Sequence, residues 1–563
     1  MSMTAALTES YGKGATDVPL IEQTIGDFFD DMVAKHPDRE ALISRHEGKR
    51  FTYRELQTES NRLASALLNL GLAPGDRVGI WSHNNAPWVL MQIATAKVGL
   101  ILVNINPAYR TSELEYALNK VGCKVLVTMA QFKTSDYLGM LRELGPKRLP
   151  QLQHTFWIDG KAAADVEQPG MQRFSHLLAS GKDGGEADPR VAQVQKTLKA
   201  TDPINIQFTS GTTGFPKGAT LTHRNILNNG FFIGECMKLS PIDKLCIPVP
   251  LYHCFGMVLG NLACLTHGSA IVYPNDGFDP LTVLETVQAE KCTGLHGVPT
   301  MFIAELDHPR FREFDLSTLR TGIMAGSPCP IEVMKRVVNE MHLSEITIAY
   351  GMTETSPVSC QSSTDTPLDK RVSTVGTVQP HIEVKIIDPE TGAVMPPGQS
   401  GELCTRGYSV MHGYWEDEPR TREAIDAEHW MHTGDLATMD AEGYVNIVGR
   451  IKDLVIRGGE NIYPREIEEF LYRHPKVQDV QVVGLPDKKY GEELCAWIIV
   501  KPGQTATDTE IRDFCKGQIA HYKVPKYIQF VTEFPMTVTG KIQKFKIRDA
   551  MTEQLGLSQE KTA

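Results

Sequence analysis

The chain has 563 residues, 41% of them hydrophobic and 22% charged, and a formal net charge of −11. This length exceeds what one hydrophobic core usually supports, so we expect at least two domains. The acidic balance argues against a nucleic-acid-binding protein, and no run approaches the about 18 apolar residues of a membrane span.

The N-terminus and the cysteines bear on location. The opening MSMTAALTESYGKGATDVPL has neither the charged start and apolar block of a secretory signal nor the arginines of a mitochondrial transit peptide. The eleven cysteines are scattered without a CxxC pair, which favours reduced, mostly buried thiols in the cytoplasm. The adjacent His253 and Cys254 lack a second cluster at zinc-ligand spacing, so no metal–cysteine site is expected.

The first part of the chain alternates strand and helix patterns. GDRVGIWS (75–82), LILVNIN (100–106) and KVLVTM (124–129) are predicted strands, and APWVLMQIATAKVG (86–99) is a predicted amphipathic helix. The polar residues 159–202 are interpreted as a peripheral excursion that leads into the strand INIQFT (204–209). This rhythm predicts a parallel sheet covered by helices.

Residues 208–223, FTSGTTGFPKGATLTH, follow that strand and look too polar and flexible to form core. Backbone N–H groups, hydroxyls and Lys217 could together surround an anion. The stretch is not a P-loop, because no GxxxxGK is followed by Ser or Thr. From these residues alone, a phosphate-binding loop and an ordinary surface loop stay equally open.

A second strand–helix region follows from about residue 246, with predicted strands SAIVYP, CTGLHGVP and ITIAYG. HIEVKIID, GELCTRG and YVNIVGR, between 380 and 450, predict a small antiparallel sheet or barrel. Pro464 then suits a first helical turn, and Ile467, Phe470 and Leu471 follow at helical spacing. The expected fold is therefore α/β, with an N-terminal domain (1–450) of two helix-covered sheets plus a barrel-like subdomain, and a small α/β C-terminal domain (451–563).

Five stretches occur in a characteristic order: FTSGTTGFPKG, YGMTET (350–355), WMHTGD (430–435), GRIKDLVIRGGENIYP (449–464) and PMTVTGKIQK (535–544). From about residue 25 to 550 the chain resembles adenylate-forming (AMP-binding) enzymes, which include acyl-CoA synthetases, carrier-protein adenylation domains and firefly-type luciferases. The last third most resembles medium-chain fatty acyl-CoA synthetases of the "family member 2" type. The resemblance implies that ATP and a carboxylic acid form an acyl-adenylate, which coenzyme A then attacks.

The resemblance also implies roles for individual residues in binding ATP and Mg²⁺. Thr353 would contact the α-phosphate, and Glu354 would hold Mg²⁺ together with Thr213. Asp435 would bind the ribose hydroxyls, with Arg450 as a further contact. The residues implied for the phosphates are Thr209, Ser210, Gly211, Thr212, Thr213, Gly214 and Lys217. Those implied for the adenine are Gly326, Ser327, Pro328 and Tyr350, and Gly351 and Met352 are further residues implied for binding the nucleotide.

Lys541 is the implied catalytic lysine, which would bridge the attacking carboxylate and the phosphate. Lys452 would be the hinge about which a mobile C-terminal domain rotates between the two half-reactions. The rotated domain would bring Gly458, Gly459 and Glu460 towards coenzyme A. The implied acyl site has His253 as a gate near the carboxylate; its walls are Phe255, Val298, Pro299, Met352 and Pro357.

Because these walls carry no charge, the expected substrate is a fatty acid. The alternative is a ligase for an aryl, branched or sulfur-containing acid. A carrier-protein adenylation domain is disfavoured, since only a short segment follows Lys541 and no aspartate lies near LYHCFG. A non-catalytic nucleotide-binding protein is disfavoured by the presence of Glu354, Asp435, Arg450 and Lys541. We expect a monomer or homodimer; the lipid-like substrate leaves weak membrane association open.

Overall fold

The computed structural model describes residues 6–158, 170–182, 188–209, 216–327, 329–457, 460–487, 489–516, 518–537 and 542–557. These residues form α-helices and β-strands, four short 3₁₀ turns and one π-helix, Phe255–Leu262. The α-helices are α1 Ile25–Lys35, α2 Tyr53–Asn69, α3 Ala86–Lys97, α4 Thr111–Lys120, α5 Tyr137–Arg148, α6 Phe174–Ser180, α7 Pro189–Gln195, α8 His223–Cys236, α9 Ala263–His267, α10 Pro280–Glu290, α11 Pro299–Leu306, α12 Ile331–Glu340, α13 Leu368–Ser373, α14 Glu418–Ala424, α15 Pro464–Leu471, α16 Asp508–Cys515 and α17 Lys544–Gln554. The strands are β1 Tyr11–Lys13, β2 Glu40–Ser44, β3 Lys49–Thr52, β4 Arg77–Trp81, β5 Ile101–Asn104, β6 Val125–Met129, β7 Gln131–Phe132, β8 Ser135–Asp136, β9 His154–Ile158, β10 Gln172–Arg173, β11 Pro203–Thr209, β12 Lys217–Thr222, β13 Lys244–Cys246, β14 Ala270–Tyr273, β15 Gly294–Gly297, β16 Thr321–Ala325, β17 Glu345–Gly351, β18 Val358–Gln361, β19 Thr377–Val378, β20 Ile382–Ile387, β21 Gly401–Gly407, β22 Gly413–Tyr414, β23 Met431–Met439, β24 Val445–Arg450, β25 Val455–Arg457, β26 Glu460–Ile462, β27 Val477–Asp487, β28 Gly491–Val500 and β29 Tyr527–Phe530.

Two large sheets form the body of the N-terminal part. One has eight strands in the order β10-β9-β6-β4-β5-β11-β12-β22; the other has nine in the order β19-β18-β17-β16-β15-β13-β14-β2-β3. The central strands of both sheets run parallel, and antiparallel strands are added at the edges. Helices cover these sheets, as expected for parallel strands joined by helical crossovers. The predicted α/β class with two helix-covered sheets is confirmed.

Helix α3 lies within the apolar core of these sheets. Asn85 caps its first turn, where its side chain accepts a hydrogen bond from the N–H of Trp88. All twelve residues of the helix are buried, so the predicted helix is confirmed but its predicted amphipathic character is wrong. Helices on both sides, α1 and α2, enclose it, and a helix enclosed in this way needs no polar face.

Residues 208–223, which were predicted to be too polar to form core, are only partly a loop. β11 and β12 form an antiparallel pair in which Thr209 lies opposite Lys217. Gly218–Thr222 are buried, and Thr222 then caps α8 by accepting from the N–H of Asn225. This local bond allows Thr222 to be buried at little cost, whereas the hydroxyl of Thr220 is buried without a hydrogen-bond partner among the described residues.

The third sheet is antiparallel, with the order β1-β20-β21-β23-β24. It confirms the antiparallel sheet predicted for residues 380–450, except that its edge strand β1 comes from the N-terminus, where Tyr11 pairs with Lys385. All eleven cysteines are free and all but Cys236 are buried, as predicted.

The residues from Val455 onwards build their own sheet, β26-β25-β28-β27, on which β29 lies parallel to β28. Their two apolar clusters contain only residues of this part of the chain. Ile467 and Leu471 of α15 are fully buried in them, whereas Phe470 is half-buried. Across the described parts of the chain, none of the helices has the length and apolarity needed to cross a membrane.

Candidate active site

Asp435 is held between two donors from different elements. Tyr350, near the end of β17, donates its hydroxyl to Oδ2 of Asp435 at 2.7 Å. Arg450 lies opposite Asp435 across the β23–β24 pair and donates Nε–H to Oδ1 at 3.0 Å. Asp435 is buried, whereas half of the Arg450 side chain is exposed. Burial and the neighbouring Asp435 raise the pKa of Tyr350, so its hydroxyl remains a donor at neutral pH. The carboxylate is therefore fixed in orientation.

Glu354 is the second buried acid of the site. It lies in a 3₁₀ turn, Thr353–Thr355, directly after β17. Its Oε1 accepts hydrogen bonds from Thr209 Oγ1 at 3.0 Å and from the Tyr414 hydroxyl at 2.9 Å. Burial and Glu354 raise the pKa of Tyr414, which keeps this hydroxyl protonated. Lys217 Nζ lies 4.5 Å from the centre of the Tyr414 ring. The structure thus brings YGMTET together with both ends of the predicted phosphate loop.

The predicted adenine segment lies beside Tyr350. β16 and β17 are parallel and pair Ala325 with Ala349, so Gly326 and Tyr350 follow them at the same sheet edge. Gly326 has a φ of +90° and is exposed, and Ser327 is half-buried. Carboxyl ends of parallel strands are where α/β proteins commonly bind ligands.

The predicted acyl residues are adjacent to this edge. Half-buried His253 accepts the N–H of Phe255 on Nδ1 at 3.2 Å, directly before the π-helix. Phe255 and Val298 are buried. A side chain at Gly326 would lie 3.1 Å from a Val298 methyl, which places Val298 against the adenine segment. Met352 is half-buried and Pro357 buried, both next to the turn that carries Glu354.

His296 supports the acyl side and was not predicted. Its ring lies 5.4 Å from that of Phe255. Nε2 donates to the carbonyl of Leu259 in the π-helix at 2.9 Å, and Nδ1 accepts the N–H of Ile323 in β16 at 3.1 Å. Burial lowers the pKa of His296 to about 4, so the imidazole is neutral. It joins the π-helix to β16, the strand that leads to the predicted adenine segment.

Sequence reasoning also missed Tyr414 and Glu402. Glu402 lies in GELCTRG, which the sequence predicts only to be a strand. Tyr414 follows MHG in a segment without a recognised motif. Both side chains are buried, but β21 and β22 have no local pattern that distinguishes them; only the rule that buried polar groups need partners points to them.

The predicted hinge residue Lys452 lies in a 3₁₀ turn, Ile451–Asp453, between β24 and β25. Burial, followed by the nearby charge of Arg450, lowers its pKa. Several other predicted site residues lie outside the described residues: Ser210, Gly211, Thr212, Thr213, Gly214, Pro328, Gly458, Gly459 and Lys541. Glu460 is described only as strand backbone.

Two family profiles match the chain. The profile described as AMP-binding enzyme matches residues 29–415, and that of the AMP-binding enzyme C-terminal domain matches residues 466–541. The first covers more than half of the chain and includes β11, β12, β17 and the turn that carries Glu354.

Curated proteins and solved structures resemble the chain over nearly its whole length. The acyl-CoA synthetase YngI of Bacillus subtilis (strain 168) is 47% identical over 96% of this chain and 99% of its own length. The mitochondrial medium-chain acyl-CoA ligase ACSF2 of Danio rerio is 47% identical, covering 98% of this chain and 92% of its own. The crystal structure of the anthranilate CoA ligase AuaEII in complex with anthranoyl-AMP matches with a TM-score of 0.86 at 28% identity, covering 96% of this chain and 99% of that chain.

Proposed function

The chain belongs to the AMP-binding enzyme family and is an AMP-forming acyl-CoA synthetase, and we propose that its acyl substrate is a medium-chain fatty acid. Enzymes of this kind convert a carboxylate and ATP to an acyl-adenylate and pyrophosphate. They then transfer the acyl group to coenzyme A and release AMP. The high identity to medium-chain ligases over almost the full length is the observation that carries the proposed substrate.

The nucleotide is proposed to bind along the edge formed by β16, β17 and β23. Asp435 accepts the two ribose hydroxyls, a task that suits a carboxylate, since it has several lone pairs. Tyr350 and Arg450, which hold Asp435 at 2.7 and 3.0 Å, keep those lone pairs directed at the sugar. Tyr350 also offers a ring face for the adenine, next to Gly326 and Ser327. Because both donors are already in place, little reorganisation is needed on binding.

Glu354 is proposed to hold Mg²⁺ at the phosphates. A buried carboxylate with the Thr209 hydroxyl 3.0 Å away is an oxygen donor set that suits this hard cation. When bound, Mg²⁺ neutralises phosphate charge. The chain's own contribution is to fix Glu354 through Thr209 and Tyr414. Lys217 and the proposed contacts of Thr353 and the 210–214 segment add to the charge compensation that the attack of one anion on another requires.

The acyl chain is proposed to lie against Phe255, Val298, Met352 and Pro357, with His253 near the carboxylate. Phe255 and Val298 are buried, and the imidazole of His296 behind Phe255 is neutral with both nitrogens bonded to backbone. These described walls therefore offer an aliphatic chain apolar surface, and no charge that would select an amino or a second carboxylate group.

The division into residues 1–450 and 451–563 is also part of this proposal. The separate sheet and apolar clusters after Val455 support it. Lys541 would act from the second unit in adenylation, and Lys452 would be the position about which that unit turns for thioester formation.

The proposal is tested by pyrophosphate release with ATP, Mg²⁺ and a panel of saturated acids from C4 to C16, plus benzoate and cinnamate, followed by thioester formation with coenzyme A. We expect maximal kcat/KM at medium chain length. The structural match to an anthranilate ligase makes an aryl acid the alternative, and a preference for benzoate or cinnamate would replace the fatty-acid proposal. An absence of pyrophosphate release with every acid would contradict the assignment of the site.

We also propose that the protein is a monomer or homodimer and that it lies in the cytoplasm. Eleven free cysteines suit a reducing compartment. Light scattering after size exclusion tests the assembly, and a larger oligomer would contradict it. Fractionation of the native host, with an antibody to this chain, tests the location.

A further inference from the structure

The part of β23 that carries Asp435 leaves the regular hydrogen-bond ladder of its sheet. Between β21 and β23, Glu402 pairs with Leu436, and Cys404 pairs with His432. Leu403 alone therefore lies opposite three residues, Thr433, Gly434 and Asp435. Such a bulge changes the direction of a side chain but leaves backbone groups without ladder partners, and buried ones must find others.

Two side chains replace the missing ladder bonds. Glu402 Oε1 accepts the N–H of Gly434 at 3.0 Å, so the bulge is held from the neighbouring strand. The Thr433 hydroxyl donates to the carbonyl of Leu403 at 2.6 Å and accepts the N–H of Asp435 at 3.1 Å. Gly434 has a φ of +69°, a left-handed conformation that glycine adopts without strain.

Glu402 has a second partner on the same strand, β23. Its Oε2 lies 3.1 Å from His432 Nδ1, and the side chain of Glu402 is only 12% exposed. On its other side, His432 Nε2 lies 3.6 Å from Asp426 Oδ2. Cys404 Sγ lies 3.5 Å from the same Nδ1 atom of His432. The bulge is thus tied to Glu402 on both sides of Thr433, by the backbone N–H of Gly434 and by the His432 ring.

We propose that Glu402 is a positioning residue for the ribose of ATP: by holding Gly434 and His432 it fixes the bulge that presents the Asp435 carboxylate. This inference rests on the proposed assignment of Asp435 to the ribose. Glu402 acts through backbone and does not touch the nucleotide, so its loss lets the carboxylate move relative to Tyr350 and Arg450.

A metal site is the competing explanation of the same side chains. Ligand atoms of Glu402, Cys404 and His432 lie within 4.8 Å of one another. However, both oxygens of Glu402 are already engaged by residues of β23, Oε1 by the N–H of Gly434 and Oε2 by His432. These contacts favour the role of Glu402 in holding Gly434 and His432, called the Glu402 clamp below.

The test compares Glu402→Ala and Glu402→Gln with a matched control, Glu383→Gln. Glu383 lies on β20 of the same sheet and pairs with Arg406 at 2.7 Å, outside the proposed site. Losing a buried charged acceptor is expected to raise the KM for ATP about 10- to 30-fold in Glu402→Ala, and about 3-fold in Glu402→Gln, whose amide oxygen can still accept from Gly434. The KM values for the acid and coenzyme A should stay within about 2-fold, as should all three in Glu383→Gln.

The second readout is discrimination between ATP and 2′-deoxy-ATP or 3′-deoxy-ATP, measured as a ratio of kcat/KM. Wild type should prefer ATP, and the preference should fall towards unity in Glu402→Ala because Asp435 no longer faces the missing hydroxyl. If Glu402→Ala keeps the full preference for ATP, the proposed positioning role of Glu402 is wrong, while the assignment of Asp435 to the ribose stands. If Glu402→Ala is insoluble, the same ratio in Glu402→Gln decides, with an unchanged ratio and KM again overturning it.

A wild type that does not discriminate overturns the ribose assignment of Asp435 and the clamp with it, while pyrophosphate release with fatty acids would leave the synthetase function standing. One equivalent of zinc in the purified wild type that is lost in Cys404→Ser would also overturn the clamp in favour of the metal site.

Discussion

Tyr350 is the residue whose side chain joins the proposed adenine and ribose contacts. Its ring would remain in Tyr350→Phe, but the 2.7 Å hydrogen bond to Asp435 would be lost. Hydrogen bonds to charged groups contribute more than neutral ones, so we expect the KM for ATP to rise about 10-fold. Steady-state kinetics with ATP varied at saturating acid measures this. A change in the KM for the acid instead would place Tyr350 on the acyl side.

Lys541 is the residue that the resemblance implies for the first half-reaction. Lys541→Ala should lower pyrophosphate release by about 100- to 1000-fold, since a cation aimed at developing charge is removed. Thioester formation from a chemically prepared acyl-adenylate should change by less than about 3-fold. Equal losses in both half-reactions would contradict the proposed role, and Lys546→Ala is the control, because Lys546 is an exposed lysine near Lys541 in the sequence.

Glu305 is a buried acid that the proposed chemistry does not use. It is 1% exposed, and neither of its oxygens has a hydrogen-bond partner among the described residues. Burial raises the pKa of Glu305 well above its usual value, so the folded protein keeps the carboxyl protonated while the unfolded chain ionises. Folding stability is therefore lost as pH rises above about 4.5, the ordinary pKa of a glutamate.

The variant Glu305→Met should remove this loss. At pH 8 we expect it to unfold at a higher temperature than wild type, with a gain of about 1–4 kcal/mol, and the gain should shrink as the pH approaches 5. Thermal unfolding at pH 5, 6.5 and 8 measures it, with Glu305→Gln as the uncharged polar comparison. A destabilised Glu305→Met at pH 8 would mean that the ionised carboxylate has a stabilising partner.

At the level of elements, the sequence predicted where strands lie better than it predicted which other elements pack against them. Period and turn residues placed β4, β6, β14 and β21 close to their observed bounds, because strand patterns are local. The burial of α3 on all sides, the entry of β1 into a sheet formed by residues 382–450, and the π-helix depend on distant partners. Local pattern carries no information on which surface a neighbour will cover.

The π-helix Phe255–Leu262 is the element that shapes the proposed acyl wall. Gly256 lies where a Cβ atom would be 2.4 Å from the carbonyl oxygen of Pro250 and 2.7 Å from the Cα of Leu251. Backbone cannot yield as a side chain can, so Gly256→Ala should cost about 1–3 kcal/mol and shift the chain-length profile. Gly449→Ala is the comparison for stability, because among the described residues, its two chain neighbours apart, no atom lies within 4 Å of a Cβ there. An unchanged unfolding temperature and profile would show that the helix can adjust.

At the level of the whole molecule, the motifs found in order along the chain give a site only because three sheets meet. Thr209 reaches Glu354 across 145 positions, and Tyr350 reaches Asp435 across 85. The resemblance named these residues, but the tyrosine–carboxylate contacts and the clamp by Glu402 belong to no motif. They arise from register, which depends on the bulges of β21–β23 and β23–β24. Side-chain contacts that depend on the register between two strands cannot be predicted from the sequence of one strand.

The proposed division near residue 450 makes a prediction about the whole chain. After Val455 the apolar clusters are self-contained, and polar contacts link them to the first part, including Gln478 to Asp307 at 3.1 Å and Glu469 to the N–H of Ile331 at 3.4 Å. Such contacts resemble a transient interface, so a fragment of residues 1–450 should fold alone and unfold cooperatively. It should bind a fluorescent ATP analogue within about 10-fold of the full chain, because Asp435, Tyr350 and Glu354 all lie in it. It should release no pyrophosphate, since Lys541 is absent. Aggregation of this fragment, together with a full chain that unfolds in one transition by calorimetry, would show instead that the two parts share one cooperative core.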